Sequence, residues 1–300
     1  MQIEISVSII TYNHEEFIAK ALDSVLAQNL DIPFEIVVGD DGSSDSTVDI
    51  VKSYQKKYTD IIKLCERNRN DFRGYIHSGR KNFLENILSC NGKYIALLDG
   101  DDFWDDPEKL TTQYELLEKN ERFSGVMHGT VVLRTEDNKK LPWRDKYESL
   151  YLTKDLIRLS TPFHTSSFFF RKKFLVIPEW LKTVSSGDIP LFFLISLNGP
   201  IVNAYKLNPS VYRKHLGGIT QTSLHLKNVF HLTRIALWQQ LNEHSGYKFD
   251  KFVGNVIIRH LLGLEVKRLK ERWLLVSMAF RNMRYLSVMV VLKLLKRAIL

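Results

Sequence analysis

The chain has 300 residues, with 42 lysines and arginines against 34 aspartates and glutamates, a formal net charge of +8 and 44% hydrophobic residues. That balance belongs to an ordinary globular protein long enough for a sizeable core, and it excludes a disordered chain. The basic excess raises the question of nucleic acid, but no helix-turn-helix, RNA-recognition signature or zinc-type spacing accompanies it, so no nucleic-acid partner is expected.

The first strand is expected in EISVSIITYN, which is rich in β-branched residues and follows an opening that has no basic region and includes Glu4. Such an opening argues against a signal peptide. Asn13 and Glu16 form a capping-box pattern ahead of EEFIAKALDSVLAQ, where Ile18, Leu22, Val25 and Leu26 recur at helical spacing. PFEIVVGDDGSSDST reads as a short apolar strand ending in a polar turn, and Val48, Val51 and Tyr54 mark the helix after it.

IIKLC reads as a third strand, GRKNFLENILSCNG as a helix closed by Gly92, and KYIALLDGDD as a fourth strand. Pro107 suits the first position of a helix over PEKLTTQYELLEKN, with Asp105 and Asp106 at its cap and dipole end. Beyond about residue 120 the alternation loosens. FSGVMHGTVVLR and TSSFFFRKKFLVI read as strands separated by a looped TEDNKKLPWRDKYES, and from about Lys227 the chain reads as helical. No run reaches the roughly 18 apolar residues of a membrane-spanning helix. Cys65 and Cys90 form neither a metal-type spacing nor a disulfide framework, so a reducing, cytoplasmic setting is expected.

The order β-α-β-α-β-α-β predicts an α/β fold with a mainly parallel sheet flanked by helices, whose ligands sit beyond the carboxyl ends of the strands. Two acidic clusters fall at such ends: Asp40-Asp41, and Asp99 with Asp101-Asp102. Clustered carboxylates repel one another unless a cation compensates, and Mg²⁺ or Mn²⁺ takes one or two carboxylates and fills its shell with water and phosphate oxygens. An extended turn would project Asp99 and Asp101 to the same side. Asp41 is suited to accept the imide N–H of a uracil-type base. Neither a G-x-x-x-x-G-K-[ST] loop nor a G-x-G-x-x-G turn occurs, so a nucleotide would be held without those phosphate cradles.

With VSIITYNHEEFIAKALDSVLAQ, then EIVVGDDGSSDST, then GKYIALLDGDDFWDDPEKLTTQ, the first 120 or so residues resemble the family-2 glycosyltransferases of GT-A fold. The likeness is greatest to bacterial members that build capsule, O-antigen and other surface polysaccharides. Weaker agreement continues in TSSFFFR, SSGDIPLFFLI and VYRKHLGGI. The resemblance implies inverting transfer from a nucleotide-diphosphate sugar, with a UDP-sugar favoured, to a glycan or lipid-linked acceptor, with Mn²⁺ or Mg²⁺ as cofactor.

By that resemblance Thr11 and Tyr12 belong to the nucleotide-contacting loop, and Asp41 is the base-binding aspartate. Asp99, Asp101 and Asp102 form the D-x-D region that holds ribose, metal and diphosphate, with Asp102 preferred as direct metal ligand. Asp188 takes the place of the catalytic base, although many members have Glu-Asp where this chain has Gly187-Asp188. Should Asp188 not serve, Glu179 is next. His215 matches a histidine near the metal, and Arg213 is suited to pair with phosphate oxygens. Arg69 and Arg73 either do likewise or belong to a solvated basic loop.

The resemblance implies a GT-A domain over residues 1–225, with a nucleotide-binding half (1–120) and an acceptor half (121–225), followed by a helical, basic extension over 226–300. Other classes fit less well. A haloacid-dehalogenase-type phosphatase would carry its D-x-D near the start of the domain, and a sugar-nucleotide pyrophosphorylase would show a Gly-rich basic loop after its first strand. A non-catalytic binding or scaffolding protein on the same fold is the remaining alternative, and loss of the carboxylate cluster would have marked it.

Residues 259–300 hold ten lysines or arginines against Glu265 and Glu271. With Trp273, Leu274, Phe280, Tyr285, Leu286 and Met289 interleaved, they predict helices that lie on an anionic membrane surface, and the resemblance, to a family that often works on lipid-linked acceptors, implies a protein peripheral at the cytoplasmic face. The competing expectation is a helical bundle packed on the rest of the protein or on a second subunit.

Overall fold

All seven residues of β1 (Ile5–Thr11) except Ile10 are buried, the serines of its alternating ISVSI run as well as the apolar residues, so both faces of the strand are covered. The computed structural model describes residues 2–215, 227–265 and 269–299. Leu216 to Ile219 of VYRKHLGGI, and Lys267 and Arg268 of the basic tail, lie outside the described residues.

The described chain divides into two compact units. The first takes in the residues up to Thr153, Thr161–Thr183 and Gly187–His215, and the second takes in Lys154–Ser160, Val184–Ser186 and the described residues from 227 on.

In the first unit β1 is followed by α1 (Ile18–Leu26), β2 (Phe34–Asp40), α2 (Thr47–Lys57), β3 (Ile62–Glu66), α3 (Ser78–Leu88), β4 (Tyr94–Asp99) and α4 (Lys109–Lys119). The alternating order read from the sequence is therefore present. Next come β5 (Gly125–Met127), β6 (Thr130–Arg134), β7 (Lys140–Pro142) and β8 (Leu150–Tyr151). After α5 (Thr153–Leu159), most of which belongs to the second unit, come β9 (Phe169–Arg171), α6 (Asp188–Ser196), β10 (Ile201–Asn203) and β11 (Ser210–Lys214).

One sheet of eight strands runs β3-β2-β1-β4-β9-β5-β10-β8, and a smaller one runs β11-β6-β7. The first four strands are parallel, and β9 enters antiparallel between β4 and β5. Parallel pairing puts the carboxyl ends of β1, β2 and β4 on one edge. The acidic clusters therefore share that edge. Beneath it, Ile5, Val7, Ile9, Ile36, Val38, Ala96 and Leu98 pack with Ile18, Leu22 and Val25 of α1 into the main core.

Several local expectations are corrected. Asn13 caps no helix: it takes a left-handed φ of 53°, and its side chain accepts from Ser44 N–H, while α1 begins only at Ile18. Glu15 likewise reaches Ser46 N–H, so the polar residues after β1 bind the turn after β2 in place of their own helix. Gly92 does not close α3, which ends at Leu88 with Ser89 as its cap. A Cβ at Gly92 would fall 2.5 Å from the Ser6 backbone nitrogen, so close approach to β1 is what requires the glycine. FSGVMHGTVVLR splits into β5 and β6 in two different sheets, and only Phe169–Arg171 of TSSFFFRKKFLVI is strand. The expected loop between them contains β7.

The second unit is built from α7 (Lys227–His244), α8 (Asp250–Gly263), α9 (Leu269–Arg281) and α10 (Val288–Ile299). Among the described residues, no helix is long and apolar enough to cross a membrane. His231 on α7 and His260 on α8 meet with their Nδ1 atoms 3.0 Å apart. Burial first, then the neighbouring His231, Arg234 and Arg259, push His260 from its ordinary 6.5 down to about 4.

Between those two values the unfolded chain takes up a proton that the folded chain refuses. Stability is thus highest above pH 6.5 and declines as pH falls toward 4. The thermal midpoint should fall over that window, and fall less in His260→Gln. Identical pH profiles for the two proteins would show that the imidazole is not held neutral.

Candidate functional site

Thr11, Asp40 and Asp99 end three adjacent parallel strands, and the turns that follow are tied together through the backbone. Asp41 N–H donates to Thr11 O at 3.0 Å, and Gly100 N–H donates to Ile10 O at 2.8 Å. A Cβ at Gly100 would lie 2.9 Å from Thr11 Oγ1 and 3.0 Å from His14 Nδ1, so only glycine lets these turns close on each other.

Over β1 and β2, Asp41 is almost fully buried and receives Ser78 Oγ at 2.9 Å and the Arg69 guanidinium. Burial raises its carboxyl above the usual range, while Ser78 and Arg69 pull it down. The same guanidinium lies 3.6 Å from the centroid of the half-exposed Tyr12 ring. Tyr12, Arg69 and Asp41 thus form a flat, charged seat of the kind a planar base occupies. Arg73, in contrast, extends into solvent beside Asp71.

The expected extended turn after β4 is instead closed, with Asp102 N–H donating to Asp99 O at 2.9 Å. That closure sends the carboxylates in two directions. Asp101 Oδ2 lies 3.0 Å from His215 Nε2 and 3.8 Å from His14 Nε2. Asp99 and Asp102 group with His164, whose Nδ1 is 3.8 Å from Asp102 Oδ2.

In each trio the ligand atoms lie within 4.8 Å of one another. Asp102 is fully buried, and its Oδ1 accepts the Arg213 backbone N–H at 2.9 Å. Arg213 itself donates to Asp101 O at 2.7 Å, and its guanidinium stacks 4.4 Å from the Phe103 centroid.

The charges are arranged for a cation. Burial, with Asp101 and then Asp188 nearby, pushes Asp99 up to about 8, and burial with Asp101 and Asp99 pushes Asp102 up as well. Burial also acts upward on Asp101, but the His215 hydrogen bond and the His14 and His215 charges hold it below the usual range. Thr11 Oγ1, His14 Nδ1 and Asp102 Oδ2 are buried with no hydrogen-bond partner among the described residues. Orphaned donors and acceptors beside three carboxylates are costly unless a ligand completes them. Carboxylates and imidazoles in this arrangement fit a divalent ion.

Asp188 is the first residue of α6, where the helix dipole favours its negative charge. It lies within electrostatic range of Asp99, His164 and Arg80. Glu179, the fallback candidate, points into solvent and pairs with Lys182.

A Cβ at Gly187 would fall 1.9 Å from Arg80 Nη1, so the buried guanidinium of α3 occupies the space that a side chain before Asp188 would need. Gly187→Ala should therefore displace Arg80 and lower turnover by about tenfold, with the loss absent when Ala is introduced into Arg80→Ala. Equal losses in both backgrounds would show that the two residues are not coupled.

His14, His164 and Arg80 were not singled out from the sequence. His14 alone carried a local signal, standing three residues past a strand end that bears other site residues.

The sequence profile described as Glycosyl transferase family 2 matches residues 6–177. An uncharacterised protein of Mycobacterium tuberculosis is 27% identical over 237 residues, covering 76% of this chain and 64% of the relative. The chain thus spans less than two thirds of that relative's length.

Among solved structures, S. aureus TarS 1–349 in complex with UDP-GlcNAc is similar with a TM-score of 0.69 at 17% identity, covering 96% of this chain and 83% of that one. The mannosyltransferase PcManGT from Pyrobaculum calidifontis, in complex with GDP-Man and Mn²⁺, gives 0.55 at 16% identity, covering 99% and 86%. At such identities the likeness is one of fold.

Proposed function

The chain belongs to glycosyl transferase family 2, and we propose that it carries out inverting, divalent-metal-dependent transfer of a sugar from a UDP-sugar to a hydroxyl of a glycan or lipid-linked acceptor, in the synthesis of a bacterial surface polysaccharide. The observation that carries this reading is the edge where β1, β2 and β4 end: a base seat at Tyr12, Arg69 and Asp41 stands beside two carboxylate and imidazole trios. The UDP-GlcNAc complex of the TarS structure supports uridine as the base.

In the proposed reaction Asp41 accepts the imide N–H of the base, and Tyr12 and Arg69 face its ring. Asp101 and His215 would hold the cation, with His14 beside them and Asp99 and Asp102 adding negative charge behind. An imidazole in the donor set favours Mn²⁺ over Mg²⁺, which is held almost wholly by oxygen. The ion supplies positive charge against the charge that builds on the leaving diphosphate. Asp188 takes the proton of the attacking hydroxyl as its oxygen bonds to the anomeric carbon from the face opposite the diphosphate, which leaves as its bond to that carbon breaks. No covalent enzyme intermediate is required.

Calorimetry tests the reading. UDP should bind with Mn²⁺ present and bind at least tenfold more weakly in EDTA, and equal affinity in both would remove the metal from donor binding.

The second unit supports peripheral attachment to an anionic membrane at the cytoplasmic face. Trp273 and Phe280 are each 69% exposed on α9, and Met289 and Leu292 are 75% and 57% exposed on α10, with the exposed cations Lys270, Lys293 and Lys296 on the same two helices. Aromatic and aliphatic side chains flanked by lysines suit the headgroup region. Flotation with vesicles containing phosphatidylglycerol should recover the protein at low salt. Recovery should fall at high salt and in Trp273→Ser/Phe280→Ser, and unchanged recovery in both tests would leave the helices as a packing bundle.

A further inference from the structure

Beside the carboxylate and imidazole trios, and sharing His164 with one of them, stands an aromatic corner whose Trp143 and Tyr212 have no part in the transfer chemistry described above. His164 and Tyr212 face each other with centroids 4.6 Å apart and planes tilted by 35°. Trp143 stands at 67° to His164 and at 90° to Tyr212, with centroids 5.0 and 5.6 Å away. Both Trp143 and Tyr212 are only partly buried. We propose that Trp143, Tyr212 and His164 form the subsite that seats a pyranose ring of the acceptor, a reading that rests on the transferase function proposed above.

Position argues for the acceptor. Across the sheet, the base seat lies at the ends of β1 and β2, the cation trios lie at the ends of β1 and β4, and His164 leads into β9 on the far side of β4. His164 Nδ1 stands 3.8 Å from Asp102 Oδ2, so the corner abuts the carboxylate trio at the end of β4. Successive residues of β11 point to opposite faces, which sends Arg213 onto Phe103 beside the cation and Tyr212 into the corner.

The corner is also rigid. Trp143 N–H donates to Thr130 O at 2.9 Å, and Tyr212 is paired with Val132 within the smaller sheet. Binding groups held on paired strands lose little freedom when a ligand arrives.

Chemistry argues for a sugar ring. The C–H face of a pyranose is apolar and carries slight positive charge, which suits the negative faces of aromatic rings, while its hydroxyls project from the edge toward a neighbouring base. A lipid tail requires a longer apolar groove. A polyol phosphate is recognised by cations and hydrogen bonds and gains little from aromatic faces.

The test uses saturation-transfer NMR on the full chain with methyl β-D-glucopyranoside, methyl β-D-galactopyranoside and methyl 2-acetamido-2-deoxy-β-D-glucopyranoside as probes, with and without UDP and Mn²⁺. At least one probe should show ring C–H saturation in the wild type. That signal should fall at least fivefold in Trp143→Leu and Tyr212→Leu and keep more than half its strength in Trp143→Phe.

UDP affinity should change less than twofold in all three variants, which controls for folding. Failure of the wild type to bind UDP would count against the transferase reading and is read separately from the sugar signals. The corner assignment is overturned if no pyranoside is saturated, if the leucine variants match the wild type, or if ribitol 5-phosphate binds in place of the pyranosides. It is also overturned if the leucine changes abolish saturation of the GlcNAc ring of UDP-GlcNAc while leaving the glycosides unaffected, since the ring seated there would then be the donor's.

Discussion

Asp188→Asn is expected to lower turnover by roughly 10²-fold or more, the usual contribution of a general base, with UDP affinity unchanged. The substitution is nearly isosteric and keeps a hydrogen-bonding group at the start of α6. It removes only the negative charge and the capacity to accept a proton. Turnover would be followed as UDP released from whichever UDP-sugar of a panel the wild type accepts best. Wild-type turnover in the variant would remove Asp188 from the mechanism. Glu179 would not inherit the role, because its solvent-facing pairing with Lys182 satisfies it elsewhere.

The second large effect is expected at Asp101. Asp101→Asn keeps the shape of the side chain but takes away the charge that stands 3.0 Å from His215 and 3.8 Å from His14. Turnover should drop roughly 10²- to 10³-fold, as when one stabilising group is removed from a developing charge, and UDP should bind the variant equally with Mn²⁺ or EDTA. The corresponding change at Asp102 is expected to act differently. Its Oδ1 holds the Arg213 backbone and its side chain is fully buried, so Asp102→Ala should lower the thermal midpoint as well as activity. If Asp102→Ala abolished the metal effect on UDP binding while Asp101→Asn left it intact, Asp102 would be the direct ligand, as the resemblance to the family implies.

Much of the first 120 residues was legible because the signals there are local. The apolar runs of β2 and β4 lie buried on both faces of a parallel sheet and therefore read as nearly unbroken hydrophobic stretches, while β1 shows as a run of β-branched residues alternating with serines. Acidic residues immediately after such runs stand at strand ends whatever the details of packing. Past residue 120 the strands shorten to between two and five residues and exchange neighbours between two sheets, too short to carry a period of their own.

Lys109 shows how far tertiary context overrides a local reading. A lysine in the first turn of α4 reads as a solvated cation, yet it is fully buried, with Nζ 2.7 Å from Gln113 Oε1 and 3.9 Å from the Trp104 ring centroid, and burial holds its ammonium well below its ordinary value.

By itself the sequence determined the fold class, the order of the first four strand and helix pairs, and the two acidic turns where those strands end, because hydrophobic period and turn chemistry act between residues close along the chain. Only the tertiary structure decided how the carboxylates divide. Asp101 faces His14 and His215, Asp99 and Asp102 face His164, Arg69 joins Asp41 to Tyr12, and Arg80 fills the space beside Gly187. Asp101 and His215 are 114 residues apart, and Arg80 and Gly187 are 107 apart. Separations of that length carry no periodic signal. They are set by which strand pairs with which, and that pairing emerges only when the whole sheet closes over its core.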